Sequence, residues 1–242
     1  MAVQRPDLAA ARPDAVEDGA IPPVKPEPLD ALVASIRACR ICRDEPRFGA
    51  RLPHEPNPVL RVSTTARILV ASQAPGTRVH ASGKPFTDAS GVRLRSWMGV
   101  DEDTFYDVSR IAIAPMGFCF PGHDANGGDL PPRRECGQAW HDALFAALPQ
   151  IEFILAVGAP AQRYHLARLG RGDLMGATLT DTVARWRILR DAVRPRLYPL
   201  PHPSWRNNGW IKANPWFEAE LLPAMRADLS AMLRLSALTP AS

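Results

Sequence analysis

Nowhere in the 242 residues is there an uninterrupted apolar run of the about 18 residues that a membrane-spanning helix needs. The first residues carry no basic segment followed by an apolar one, so no secretory leader is read there, and a soluble, cytoplasmic protein is expected. No G-x-G-x-x-G or Walker pattern follows any apolar run, which removes the usual nucleotide phosphate loops. Repeats and heptads are missing too, and a monomer is the expectation. Cysteine is scarce, being confined to Cys39, Cys42, Cys119 and Cys136. A Cys-x-x-Cys pair with two distant cysteines in a cytosolic chain points to a metal rather than to disulfides, the alternative being two unrelated buried thiols and a chance pair.

Proline and arginine are plentiful. Residues 1–28 hold six prolines and almost no large apolar side chain, a composition that cannot repay the entropy of ordering, so they read as a disordered tail. Residues 29–242 read as one domain, long enough to bury a single large core. The net charge of +4 is uneven: the tail carries three basic and five acidic side chains, leaving 26 and 20, or +6, for the domain. Such an excess suits a polyanionic partner, although a genome that prefers Arg produces the same number.

Leu29, Leu32, Val33 and Ile36 recur at helical spacing behind Asp30 as a cap, and this helix delivers Cys39 and Cys42. The polar, proline-rich residues 43–65 read as a long surface loop. Four short apolar runs, at 68–71, 108–114, 151–157 and 197–200, read as strands. Helices are expected over about 90–98, 135–148, 159–169, 180–190 and 215–235, with Asp88 or Ser90 capping the first of these. Strands alternating with helices make a three-layer αβα sandwich with a central four-stranded parallel sheet the economical architecture.

In such a sheet ligands gather outside the carboxyl ends of the strands. Three of the runs end in short motifs there: Ser72-Gln73-Ala74-Pro75-Gly76, Pro115-Met116-Gly117-Phe118-Cys119 and His202-Pro203-Ser204. A further stretch, GKPFTDASG from Gly83 to Gly91, follows the first motif. Together with the cysteine layout these resemble the uracil-DNA glycosylase superfamily, in particular its iron-sulfur branch. That branch has a GEAPG loop, a G-x-PF-x-G-x-AG segment, CxxC plus two more cysteines, and a late HP after a strand. The correspondence covers about residues 30 to 230.

The resemblance implies that Cys39, Cys42, Cys119 and Cys136 hold a 4Fe-4S cluster of structural role, pinning the N-terminal helix to a DNA-facing loop. A structural zinc uses the same four thiolates, and no metal at all is the remaining alternative. Base excision requires the nucleotide to be flipped into a pocket. The resemblance places Phe86 there to stack on the base, with Ala74 and Gly76 beside it, although Phe86 also fits an ordinary core aromatic. A ring N–H of His202 would support the departing base anion. Ser204, Arg206, Asn207 and Asn208, with Trp205, occupy the region that in the family enters the DNA.

Two departures bear on the chemistry. Gln73 and Ala74 stand where the branches of the family have Glu or Asp, and Gln is no general base at neutral pH, although it still holds a water or a base by hydrogen bonds. The nearest substitute is Asp88, to position water or stabilise the cationic sugar, or simply to cap a helix. The family's base-reading Asn is also missing after the second strand, which leaves recognition to backbone groups around Met116, Gly117 and Phe118 and a substrate range open to other deaminated bases. His123 sits where one relative traps deoxyribose covalently, but the surrounding GHDANGG does not reproduce that relative's basic insertion. His80 is read as either a phosphate contact or merely exposed.

The expectation is a monofunctional DNA glycosylase acting on uracil-containing DNA in base excision repair, since neither Lys84 nor Lys212 stands where a Schiff base would form. Phosphates would be met by Arg51, Arg78, Arg93, Arg95 and Arg206. The rival is a non-catalytic binder of damaged or single-stranded DNA, favoured by the missing carboxylate and disfavoured by His202 and Phe86.

Overall fold

Apolar residues between a polar lead-in and a Gly or Pro break form the strands. In the computed structural model, which describes residues 28–238, these are β1 (Ile68–Ala71), β2 (Ile111–Ile113), β3 (Phe153–Val157) and β4 (Arg196–Leu200). All pair in parallel in the order β2-β1-β3-β4. Every residue of β1, β2 and β3 is buried, as a parallel sheet covered on both faces requires. Alternate side chains feed separate cores. Leu69, Ala71, Ala112, Ile154 and Leu197 face one side, and Ile68, Val70, Ile111, Phe153 and Tyr198 the other.

The helices are α1 (Leu29–Arg37), α2 (Ile41–Asp44), α3 (Thr77–Ser82), α4 (Ala89–Met98), α5 (Glu102–Tyr106), α6 (Arg134–Cys136), α7 (Asp142–Ala146), α8 (Ala159–Arg168), α9 (Leu179–Ala184), α10 (Trp186–Ala192), α11 (Asn208–Ala213) and α12 (Leu222–Leu238). Leu32, Leu144 and Leu166, from α1, α7 and α8, cover the first face, while Leu94 and Leu229, from α4 and α12, cover the second. This is the three-layer αβα sandwich with a central four-stranded parallel sheet. Among the described residues, no helix is long and apolar enough to cross a membrane. The tail read over residues 1–28 lies, except for Pro28, outside the described residues.

Several boundaries differ from expectation for local reasons. The second strand starts at Ile111 rather than 108 because Asp107 folds the chain into a turn, accepting from Ser109 N–H (3.0 Å) on Oδ1 and from Ile111 N–H (2.9 Å) on its carbonyl. Pro28, not Asp30, precedes α1, and Asp30 instead places its charge in the first turn. The helix expected over 180–190 divides at Arg185 into α9 and α10. Between α6 and α7 the turn widens into a π-helix, Gly137–His141, so that the adjacent Trp140 and His141 both turn inward. Residues 43–65 are not wholly a surface loop, since Leu52, Val59 and Leu60 are buried and Arg61 bridges to Ile113.

His141 and His165 sit in the first core against Phe145 and Tyr164. Burial holds His141 at about 4 and His165 at about 3. In the unfolded chain both titrate near the ordinary histidine value of about 6.5, so below that pH the unfolded state binds more protons. The stability they allow is complete above about pH 6.5 and is lost as pH falls toward the folded values, by about 2 kcal/mol per histidine at pH 5. Urea unfolding at pH 7.5 and pH 5 should record this loss, with a shallower pH slope in His165→Leu; equal slopes would contradict it.

Candidate active site

The loops after β1 and β2 continue the sheet's pairing beyond the strands. Met116 N–H donates to Ser72 O (2.9 Å) and Gly117 N–H to Gln73 O (2.8 Å), so the two loops run side by side. After β3, Gly158 (φ 84°) donates its N–H to Leu200 O (2.8 Å), and the Gln73 side chain fills the space where a Cβ at Gly158 would stand. The turn after β4 is held by Asn207 Nδ2, which donates to His202 O (2.7 Å). Arg93 ties that turn to α4, donating to Ser204 O (3.1 Å) and Asn208 Oδ1 (2.7 Å).

Phe86 lies in the left-handed region (φ 57°), a costly conformation for a non-glycine residue, and its surroundings over-determine it. Tyr106 OH donates to Pro85 O (2.7 Å) and Phe86 O (3.1 Å), and Arg95 Nη1 also reaches Phe86 O (3.3 Å). A Cβ at Gly91 would overlap the Phe86 carbonyl, which explains a glycine there. Asp88 caps α4, its Oδ1 accepting from Gly91 N–H (3.1 Å).

These loops line a solvent-open cavity at the carboxyl edge of the sheet. Of the residues the sequence singled out, Ala74, Gly76, Phe86, Asp88 and His202 share its wall. Phe86 is also packed edge-on against Phe105 (5.8 Å), so the ring belongs to the core while lining the cavity. Burial lowers the His202 pKa, opposed by the Asp88 and Asp129 carboxylates, and the ring is neutral at physiological pH, keeping one N–H to donate.

Other predicted residues lie elsewhere. Gln73 turns to Gly158, and Met116 and Gly117 are buried and do not line the cavity, to which their loop contributes the buried Pro115 instead. Asn207 and Asn208 each spend an amide group on an intramolecular hydrogen bond, whereas Trp205 is 73% exposed, with the Arg206 guanidinium 5.8 Å from its ring centre. Arg95 serves Phe86 O and Glu102, leaving Arg51, Arg78 and Arg206 on the surface. Asp129, which also lines the cavity, carried no sequence signal, since it stands in a glycine-rich stretch outside any motif.

Cys39, Cys42, Cys119 and Cys136 are free thiols around a second, smaller cavity, with Ile36, Leu52 and Phe118. Trp140 Nε1–H donates to Cys39 Sγ (3.3 Å) and Phe118 N–H to Cys136 Sγ (3.5 Å). Burial pushes the Cys119 and Cys136 thiols up to about 12, and burial with the Glu135 charge raises Cys42. Only a strongly cationic group would ionise such thiols, and N–H donors aimed at sulfur suit thiolates. Among the described residues, no group of three or more His, Cys, Asp or Glu side chains is arranged to hold a metal ion.

The family model described as the Uracil DNA glycosylase superfamily matches residues 61–226. That is more than half of the chain and takes in every wall of the larger cavity except Val59. With the parallel sheet, the strand-end loops and this match in agreement, the chain belongs to the uracil DNA glycosylase superfamily.

Proposed function

We propose that the protein is a monofunctional DNA glycosylase that flips uracil from DNA and hydrolyses its N-glycosidic bond in base excision repair. The observation that carries this reading is one cavity walled by an aromatic ring, a histidine and carboxylates from separate strand ends. Breaking the bond leaves negative charge on the base and positive charge on the sugar. Phe86 stacks on the flipped base, and a His202 N–H donates to the oxygen where the anion develops. Asp88, pinned by the Gly91 N–H, presents a fixed charge to the cationic sugar. Lys84 is engaged by Glu102 (3.0 Å) and the Tyr106 ring, which supports a mechanism without a Schiff base.

The N–H groups of Met116, Gly117 and Phe118 are already bonded to Ser72 O, Gln73 O and Cys136 Sγ. Discrimination then rests on shape, stacking and His202, and other deaminated bases are accepted beside uracil. Trp205 is the wedge that fills the space a flipped base leaves. The four cysteines hold a 4Fe-4S cluster with a structural task, a reading supported by their arrangement around one cavity. The protein works as a monomer.

A uracil-containing oligonucleotide incubated with the protein and then treated with alkali should be cut, with His202→Ala slower by roughly 10²-fold or more. Trp205→Ala should slow excision from duplex more than from single strands. Binding without cleavage would instead favour the non-catalytic reading that Gln73 and Ala74 suggest. Protein purified without oxygen should be brown with broad visible absorbance, and a colourless, iron-free preparation would remove the cluster.

A further inference from the structure

The stretch between Cys119 and Cys136 is built as a tight hairpin. Leu130 N–H donates to Gly122 O (2.9 Å) and Asp124 N–H to Gly128 O (2.8 Å), with His123 facing Asp129 in an antiparallel bridge. Asp124 Oδ1 accepts from both Asn126 N–H (2.8 Å) and Gly128 N–H (2.9 Å), which fixes the tip.

The hairpin carries Asp129 back over the first motif loop. A Cβ built on Gly76 would stand 3.5 Å from Asp129 Oδ2. The carboxylate thus lies against the loop whose own positions 73 and 74 lack one. Asp129 Oδ1 is 3.2 Å from His123 Nδ1, and His123 Nε2 is 3.3 Å from the hydroxyl of Thr77, the residue after Gly76. With the proton on Nδ1, His123 donates to Asp129 and accepts from Thr77, so one ring ties the hairpin to the motif loop. The Asp129 side chain is 54% exposed, open to water from outside while lining the cavity.

We propose that Asp129 is the catalytic carboxylate that holds the attacking water, with His123 and Thr77 as positioning residues. The proposal rests on the glycosylase reading. The water oxygen bonds to C1′ as the bond from C1′ to the base nitrogen breaks. The electron pair leaves on the base, where the His202 N–H meets it, and the water's proton passes to Asp129. Asp88, locked into its helix cap, serves the sugar charge, and Asp129 serves the water.

Single-turnover excision from a uracil oligonucleotide by the full chain tests the assignment. Asp129→Asn should be slower by about 10²-fold, with unchanged melting temperature and unchanged affinity for DNA bearing an abasic-site analogue. Added formate should restore part of the rate to Asp129→Gly, and His123→Asn should lower kcat while leaving KM in place. Wild-type protein that excises uracil alongside an equally fast Asp129→Asn would overturn the proposal and leave the glycosylase reading intact. Slow Asp129→Gly that formate does not rescue, with DNA affinity lowered to match, would make Asp129 a binding residue and also overturn it. Wild-type protein that binds the oligonucleotide without cutting it would overturn the glycosylase reading itself.

Discussion

Everything at the carboxyl edge depends on the backbone pairing that outlasts the strands. Met116 to Ser72 and Gly117 to Gln73 extend the β1–β2 ladder into the loops, so two irregular segments inherit the rigidity of a sheet. Phe86, Asp88 and His202 are then positioned against a fixed wall rather than a mobile loop. The cost is that the N–H groups doing this cannot read a base. In the proposed glycosylase, recognition is therefore weighted toward stacking and charge.

The two cavities share their supports. Leu52, Pro56 and Pro58 face the cysteines, and Val59, next in line, faces the larger cavity. The segment is clamped to α3 by Asn57 Nδ2, which donates to His80 O (2.6 Å), and by the His54 and His80 rings, 4.3 Å apart. On the other side, Pro115 lines one cavity and Phe118 and Cys119 the other. Ordering the cysteine region would therefore order two walls of the larger cavity, which is the physical content of the structural role proposed for a cluster.

Elements with a repeating apolar signal were legible. The four buried runs, the helices behind them, and the Asp88 cap followed from side-chain type and spacing, because burial of both sheet faces leaves little choice. The shared wall of Ala74, Gly76, Phe86, Asp88 and His202 followed from motifs that each end a strand. What the sequence concealed depends on long-range closure. Asp129 reaches the cavity only because Asp124 closes a hairpin and His123 bonds to Thr77, none of which has a periodic signature. In the sequence Gln73 reads as holding a water or a base, yet its amide packs into the open side of Gly158. The π-turn after Cys136 is likewise a packing solution, bringing Trp140 to Cys39 and His141 into the core.

Amide hydrogen exchange with and without a uracil-containing oligonucleotide tests most directly the claim that the carboxyl edge is the DNA-facing catalytic surface. Protection is expected over residues 73–80, 84–91, 123–130 and 202–209, with the amino edge around Glu152 and Arg196 unchanged. Protection confined to that amino edge, with the strand-end loops exchanging as in the free protein, would contradict the account.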